Sequence, residues 1–527
     1  MSTPGDGPRE DGVLDPRFVG VSLAFGSVDD LREARRTFTD GTGAGPGGDD
    51  LRSIVRRSTP EHAVRHFHDF LVSPYSHRVF RLRLQALADG AQLFPLAREV
   101  PGTCLPTPLV TWLATAHDER ERVLAGWRAD LGVDAVPPPL PVRTRAQVVD
   151  STLAARHGAT PVGHLGADKQ FALFAESTAM AYARLEQLVV GFGPFAATTS
   201  PTLVHEVSAL STQLAAIHRG QGVAQMLAFA GFLLDSDLPH ARAWQRLLPV
   251  GSMLGGPQGT VESVGLPRVV VRMQQLALWC LLGSYDLEGP TSCPSVRLEH
   301  LVSEVVDDPS DPGWVDASDG DRDPSAAWDY WDERAGVTPW RHALTDLLDR
   351  ADRGVDQYRL VAASFGGDAA VPDLVAEVLD DVRAQQRQVV GVLLADPAAL
   401  ADPFRYVRLD PDVLPAPAVR LEVAGDAVPA GDAGPGGRVL TRRDVHGEDV
   451  VRGVAFPLRP GPEADARLDR ALRLERLGER CDLVFSDRGV PDHVAASAGP
   501  EVADLTGKSP LPIPAATATS GAGTGLG

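Results

Sequence analysis

Apolar residues recur at intervals of three and four along most of the chain, while strand-like texture is confined to Phe18–Phe25 and the region after Pro411. Three-and-four spacing puts apolar side chains on one stripe of a helix, and alternation puts them on one face of a strand. Phe18–Phe25 therefore predicts a short strand, followed by a helix that Ser27, Asp29 and Asp30 can cap. Thr59-Pro60-Glu61 has the form of a helix start, with proline in the first turn and an acid near the N-terminus. Leu105–Leu131 reads as one helix with a charged outer face. Asp168–Phe192, Thr202–Leu234 and Glu262–Tyr285 read as long core helices, and Trp340–Arg353 and Val371–Leu394 continue the pattern. Beyond Pro411, AVRLEVAGD, GRVLTRRD and VVRGVAFPL predict strands, with a helix at Pro462–Leu477 and a last strand at Cys481–Phe485.

A chain of 527 residues is too long for one ordinary core. The expected fold is mainly α, a helical bundle core at 145–405 with an acidic loop at 307–323. An N-terminal, mostly helical unit at 1–136 precedes it, and the proline run Pro137–Pro141 marks the boundary. A small α+β unit at 410–490 and a disordered, low-complexity tail at 491–527 follow.

Charge narrows the partners. Fifty Lys and Arg against 70 Asp and Glu leave a net charge of −20, which repels phosphate backbones and anionic lipid, so no nucleic acid and no membrane is expected to bind. No apolar stretch approaches the roughly 20 residues that span a bilayer, and the opening MSTPGDGPRED is polar and acidic, so the expected location is cytoplasmic. Cys104, Cys280, Cys293 and Cys481 are scattered without a CxxC pair, as suits reduced thiols.

The densest group of potential ligands is EHAVRHFHD, holding Glu61, His62, His66, His68 and Asp69. On a helix His62 and His66 face the same way, a geometry that holds a metal if further ligands come from elsewhere. The alternative is a partly exposed polar face with Arg56, Arg57 and Arg65 as ion-pair partners. His205-Glu206 resembles the first half of HExxH, but Ala209 stands where the second histidine belongs, which argues against a zincin. The acidic loop lacks the order of a calcium-binding loop. No Walker A, GxSxG elbow or kinase signature occurs. Trp244–Glu262 carries Gly251, Gly255, Gly256 and Gly259 between two apolar helices, where backbone could approach a flat ligand closely.

The helix DKQFALFAESTAMAYARLEQL, the Ser200-Pro201 helix start and the stretch VGSMLGGPQGTVE follow one another within 168–285. In order and spacing this region resembles the haem-dependent indoleamine/tryptophan dioxygenase superfamily, and within it the monodechloroaminopyrrolnitrin synthase type. The resemblance implies a haem cofactor, with Gly251, Ser252, Gly255 and Gly256 in the pocket wall. It implies His342, in a Trp-Arg-His context, as the iron ligand, with His300 in reserve. Glu176 stands where those dioxygenases carry a distal histidine, and Gly259 where a substrate-binding arginine falls, so ordinary tryptophan oxidation is not implied. The expected function is a haem-binding oxidoreductase acting on an aromatic or indole-type small molecule, with Glu176 or His205 turned toward it. The alternative is a non-catalytic helical scaffold engaging a protein partner.

Overall fold

The computed structural model describes residues 13–15, 18–40, 51–135, 166–190, 201–254, 261, 265–284, 293–308, 323–364, 370–423, 437–443, 449–485 and 502–513. The protein is mainly α-helical with a small sheet, as the apolar spacing predicts. At its centre lies the Leu266–Leu281 helix, buried without interruption from Val269 to Leu281. A helix buried around its whole circumference must be enclosed by others. The Pro201–Gln221, Pro239–Met253 and Pro294–Asp307 helices enclose it. The Leu51–Val72 helix packs along Pro201–Gln221 and also meets Ala370–Ala395, which in turn packs on Trp340–Ser364 and Pro462–Phe485. One apolar core runs from Val21 to Val502. Among the described residues, no helix is long and apolar enough to cross a membrane.

Several boundaries differ from those read in the sequence, each for a local reason. The helix expected to begin at Thr59 begins at Leu51 and carries Pro60 inside it. The hydroxyls of Ser58 and Thr59 donate to the Ile54 and Val55 carbonyls at 3.0 and 2.9 Å, binding the turn that precedes the proline. The segment expected as one helix from Thr202 divides at Gly222, whose φ of 94° ends the first helix and leads into Val223–Asp235. Leu105–Leu131 is not one helix either. Pro106 and Pro108 hold the residues before them extended, so Cys104–Thr107 is a strand, followed by helices at Leu109–Ala114 and His117–Leu131.

Cys481–Phe485, expected as a strand, forms the last turn of the Pro462–Phe485 helix. Its aromatic and β-branched content serves helix packing: a Cβ at Gly90 would lie 2.9 Å from Phe485 Cε2 and 3.3 Å from Cys481 Sγ. Tertiary contact overrides strand propensity here.

The five-stranded sheet runs in the order Val13–Asp15, Gly20–Phe25, Ala418–Val423, Asp449–Pro457, Arg438–Arg443. Gly20–Phe25 pairs in parallel with Ala418–Val423, and the other pairings are antiparallel. The beginning of the chain thus completes a sheet built mostly by its later part. Ser509–Pro512, within the low-complexity tail, pairs in parallel with Cys104–Thr107. Beside it Lys508 Nζ donates to the carbonyls of Val100, at 2.7 Å, and Gly102.

A tryptophan-rich corner anchors the later helices. Asp332 accepts from Trp279 Nε1 at 2.8 Å, from the Trp340 amide at 2.7 Å and from Arg297 at 3.3 Å. The Arg297 guanidinium lies 4.0 Å from the Trp279 ring centroid.

Candidate metal centre

His62 and His66 lie one turn apart on the Leu51–Val72 helix, so their rings project from the same side. The neighbouring Pro201–Gln221 helix presents Glu206 to both. The two Nε2 atoms are 3.1 Å apart. Glu206 Oε2 lies 3.4 Å from His62 Nε2, and Oε1 lies 3.3 Å from His66 Nε2. One ligand atom from each of the three residues can be chosen so that all lie within 4.8 Å of one another. Little of the group meets solvent: the side chains of His62, His66 and Glu206 keep 12%, 6% and 15% exposure.

Those spacings have a chemical meaning. A tetrahedral ion with bonds of about 2.0–2.1 Å holds its ligand atoms about 3.3 Å apart. Two imidazoles and a carboxylate form a donor set used for zinc and, as a facial triad, for non-haem iron. Three protein ligands leave coordination positions for water or a substrate oxygen.

The electrostatics favour a cation at the same place. Burial works to keep His66 neutral, but the Glu206 carboxylate outweighs it and raises the His66 pKa. Burial likewise works to raise Glu206, yet His66 and His62 hold its carboxyl well below the usual carboxylate range. The next residue, His205, is pushed down to about 3 by burial and by the neighbouring His66. His205 therefore stays neutral, with Nε2 at 3.0 Å from Ser76 Oγ.

A buried polar network locks the two helices that carry the group. Arg65 Nε donates to Asp69 Oδ1 at 2.8 Å and to Ser208 Oγ at 3.0 Å, and its Nη1 donates to the Leu400 carbonyl at 2.8 Å. Arg65 and Asp69 have no exposed side-chain surface. The Gln274 carboxamide completes the network, its nitrogen donating to the Ser208 carbonyl at 2.8 Å and its oxygen accepting from Ser208 Oγ at 2.8 Å and Arg65 at 2.6 Å. Arg65 and Asp69 share the helix with His62 and His66, and Ser208 lies two residues beyond Glu206. Side-chain positions on both helices are thereby fixed from behind.

The other residues singled out in the sequence lie apart from this group. Glu176, on Ala167–Val190, interacts with Arg120. His300 is half-buried on Pro294–Asp307. His342 is exposed in the first turn of Trp340–Ser364, beside the tryptophan corner. Gly251 and Ser252 are inside the Pro239–Met253 helix and not in a connection. A Cβ on Gly251 would lie 2.9 Å from Met273 Cγ and 3.2 Å from Val269 Cγ1, and Ser252 Oγ donates to the Leu248 carbonyl at 3.0 Å. Gly255, Gly256 and Gly259 lie outside the described residues, as does most of the acidic loop.

Haem requires a slot for the macrocycle and an axial donor inside it. Among the described residues, His342 is exposed and the Gly251–Ser252 turn is packed within a helix.

The EHAVRHFHD stretch supplies two of the three clustered side chains, as its spacing allows. Glu206, the third member of the group, is not marked by any spacing in the sequence. Its signal was the His205-Glu206 pair, whose glutamate meets His62 and His66 while the histidine meets Ser76. No protein-family model, curated protein sequence or solved structure matches the chain.

Proposed function

We propose that this chain is a metalloprotein whose His62, His66 and Glu206 bind one divalent first-row transition ion, with coordination positions left for an exogenous ligand. The observation that carries the reading is the convergence of three donor side chains from two packed helices: the His62 and His66 Nε2 atoms lie 3.1 Å apart, and each faces one Glu206 carboxylate oxygen, at 3.4 and 3.3 Å. Nearly complete enclosure strengthens it, because buried carboxylates and imidazoles otherwise lose hydration without full compensation. An ion so held acts as a Lewis acid toward water or a substrate oxygen, and a redox-active ion can also bind oxygen.

The test is equilibrium dialysis of chelator-treated protein against zinc, ferrous, manganous or cobaltous ion, followed by elemental analysis. The expected result is one tightly held ion per chain, lost in His66→Ala and in Glu206→Gln. Ion content that stays the same in both variants, or that is absent from the wild type with every metal, rejects the reading.

A further inference from the structure

A cavity of about 580 Å³ opens on the other side of the Leu51–Val72 helix. Arg57, Glu61, Val64 and His68 line it at intervals of three and four, whereas His62, His66 and Glu206 do not. The residue after Glu61 is turned about 100° around the helix, which separates the cavity from the metal ligands. Its volume is within the range of about 300–1,000 Å³ found for small-molecule sites.

The wall combines an apolar surface with a cationic one. Phe38, Val64, Leu414 and Leu458 supply the first, and Arg57, Arg219 and Arg459 the second. Arg219 is paired with Glu61 at 3.3 Å and Arg459 with Asp412 at 3.4 Å. Among the described residues Arg57 has no ion-pair partner, although it is only partly exposed. A partly desolvated guanidinium gains most from an anionic partner. The wall carries three arginines against two acids, Glu61 and Asp410, whereas the chain as a whole carries a charge of −20.

The deep wall is rigid. His68 Nε2 lies 2.8 Å from the Pro415 carbonyl, which can only accept, so that nitrogen carries the proton. His68 Nδ1 then accepts from the Tyr406 hydroxyl at 2.6 Å. The Tyr406 ring is in turn held under the Arg65 guanidinium at 4.8 Å. Both residues line the cavity with their protons already committed. They leave the charge on Arg57 to be met by a ligand.

We infer that this cavity is a binding site for a small organic monoanion, an apolar body ending in a carboxylate or sulfonate that pairs with Arg57. The site stands independently of the metal centre. The test uses two fluorescent probes of the same shape, anilinonaphthalene sulfonate, which is anionic, and N-phenyl-1-naphthylamine, which is neutral. The wild type is expected to bind the sulfonate saturably at one site, and the neutral probe at least about tenfold more weakly. Arg57→Gln is expected to remove that preference and leave the neutral probe unchanged. Val64→Trp and, separately, Leu414→Trp fill the cavity and are expected to abolish binding of both probes, with folding checked by circular dichroism. Equal affinity for the two probes, an unaltered preference in Arg57→Gln, or binding that survives both tryptophan variants overturns the inference. So does the absence of saturable binding in the wild type.

Discussion

Glu206 Oε1 stands 3.3 Å from His66 Nε2, joining two helices that are remote in sequence at the point where both carry metal-type donors. His62 completes the contact through the other carboxylate oxygen. An ion at this point binds the folded chain alone, because the unfolded chain does not hold the three donors together. Saturating metal at about 100 times its Kd is therefore expected to stabilise the wild type by about 2.7 kcal/mol. Thermal unfolding with and without metal measures this. Glu206→Gln keeps the shape of the side chain but removes its charge, and is expected to lower affinity by more than the about 10–100-fold typical of losing an outer-shell partner. The thermal shift should vanish with it.

Arg65 and Asp69 form a fully buried ion pair at 2.8 Å. Removing one member strands the other, so Arg65→Met is expected to destabilise the fold by about 3–5 kcal/mol. The double variant Arg65→Met with Asp69→Leu is expected to recover part of that loss. Denaturant unfolding of the two singles and the double gives the coupling directly.

His77 provides a pH test away from the metal ligands. Burial and the neighbouring Arg81 push its pKa down to about 3, against 6.5 for an ordinary histidine. The unfolded chain therefore binds this proton first as the pH falls. The stability due to neutral His77 is complete above pH 6.5 and is lost progressively between 6.5 and about 3, at a slope of up to about 1.4 kcal/mol per pH unit. Unfolding measured across that window should show a shallower acid limb for His77→Leu than for the wild type.

Asp332 and His342 are close in sequence and opposite in expected effect. Asp332 accepts from Trp279, the Trp340 amide and Arg297, so Asp332→Ala is expected to cost about 3–5 kcal/mol by leaving the buried Arg297 uncompensated. His342 is exposed, and His342→Ala is expected to stay within about 0.5 kcal/mol of the wild type. Melting temperatures of the two variants separate the cases.

Gly251 is set by helix contact. Its missing Cβ makes room for Met273 and Val269, so Gly251→Ala is expected to destabilise by about 1–3 kcal/mol through overpacking. Thermal unfolding checks this.

The helical character was legible because three-and-four spacing reports which face of a segment is buried, and Leu266–Leu281 shows it in its densest form. Elements whose fate depends on distant packing were less legible. Cys481–Phe485 has strand composition but is drawn into a helix by the space left at Gly90. Ser509–Pro512 resembles a low-complexity tail but is ordered by pairing with Cys104–Thr107. At the candidate site, His62 and His66 could be placed together because helix geometry alone determines their spacing. Glu206 could not be assigned, because its relation to them depends on how the Pro201–Gln221 helix is rotated against Leu51–Val72. Gly251 and Ser252 drew attention as part of a glycine-rich connection, but the helix runs through them because their small size allows close packing.

X-ray absorption at the zinc edge of the reconstituted protein reads the donors around the bound ion. With zinc on His62, His66 and Glu206, the first shell is expected to hold nitrogen and oxygen only, at about 2.0–2.1 Å, with outer-shell scattering from two imidazoles. One imidazole's scattering is expected to disappear in His66→Ala. A shell without imidazole scattering, one containing sulfur at about 2.3 Å, or a spectrum unchanged in His66→Ala would rule out binding by His62, His66 and Glu206.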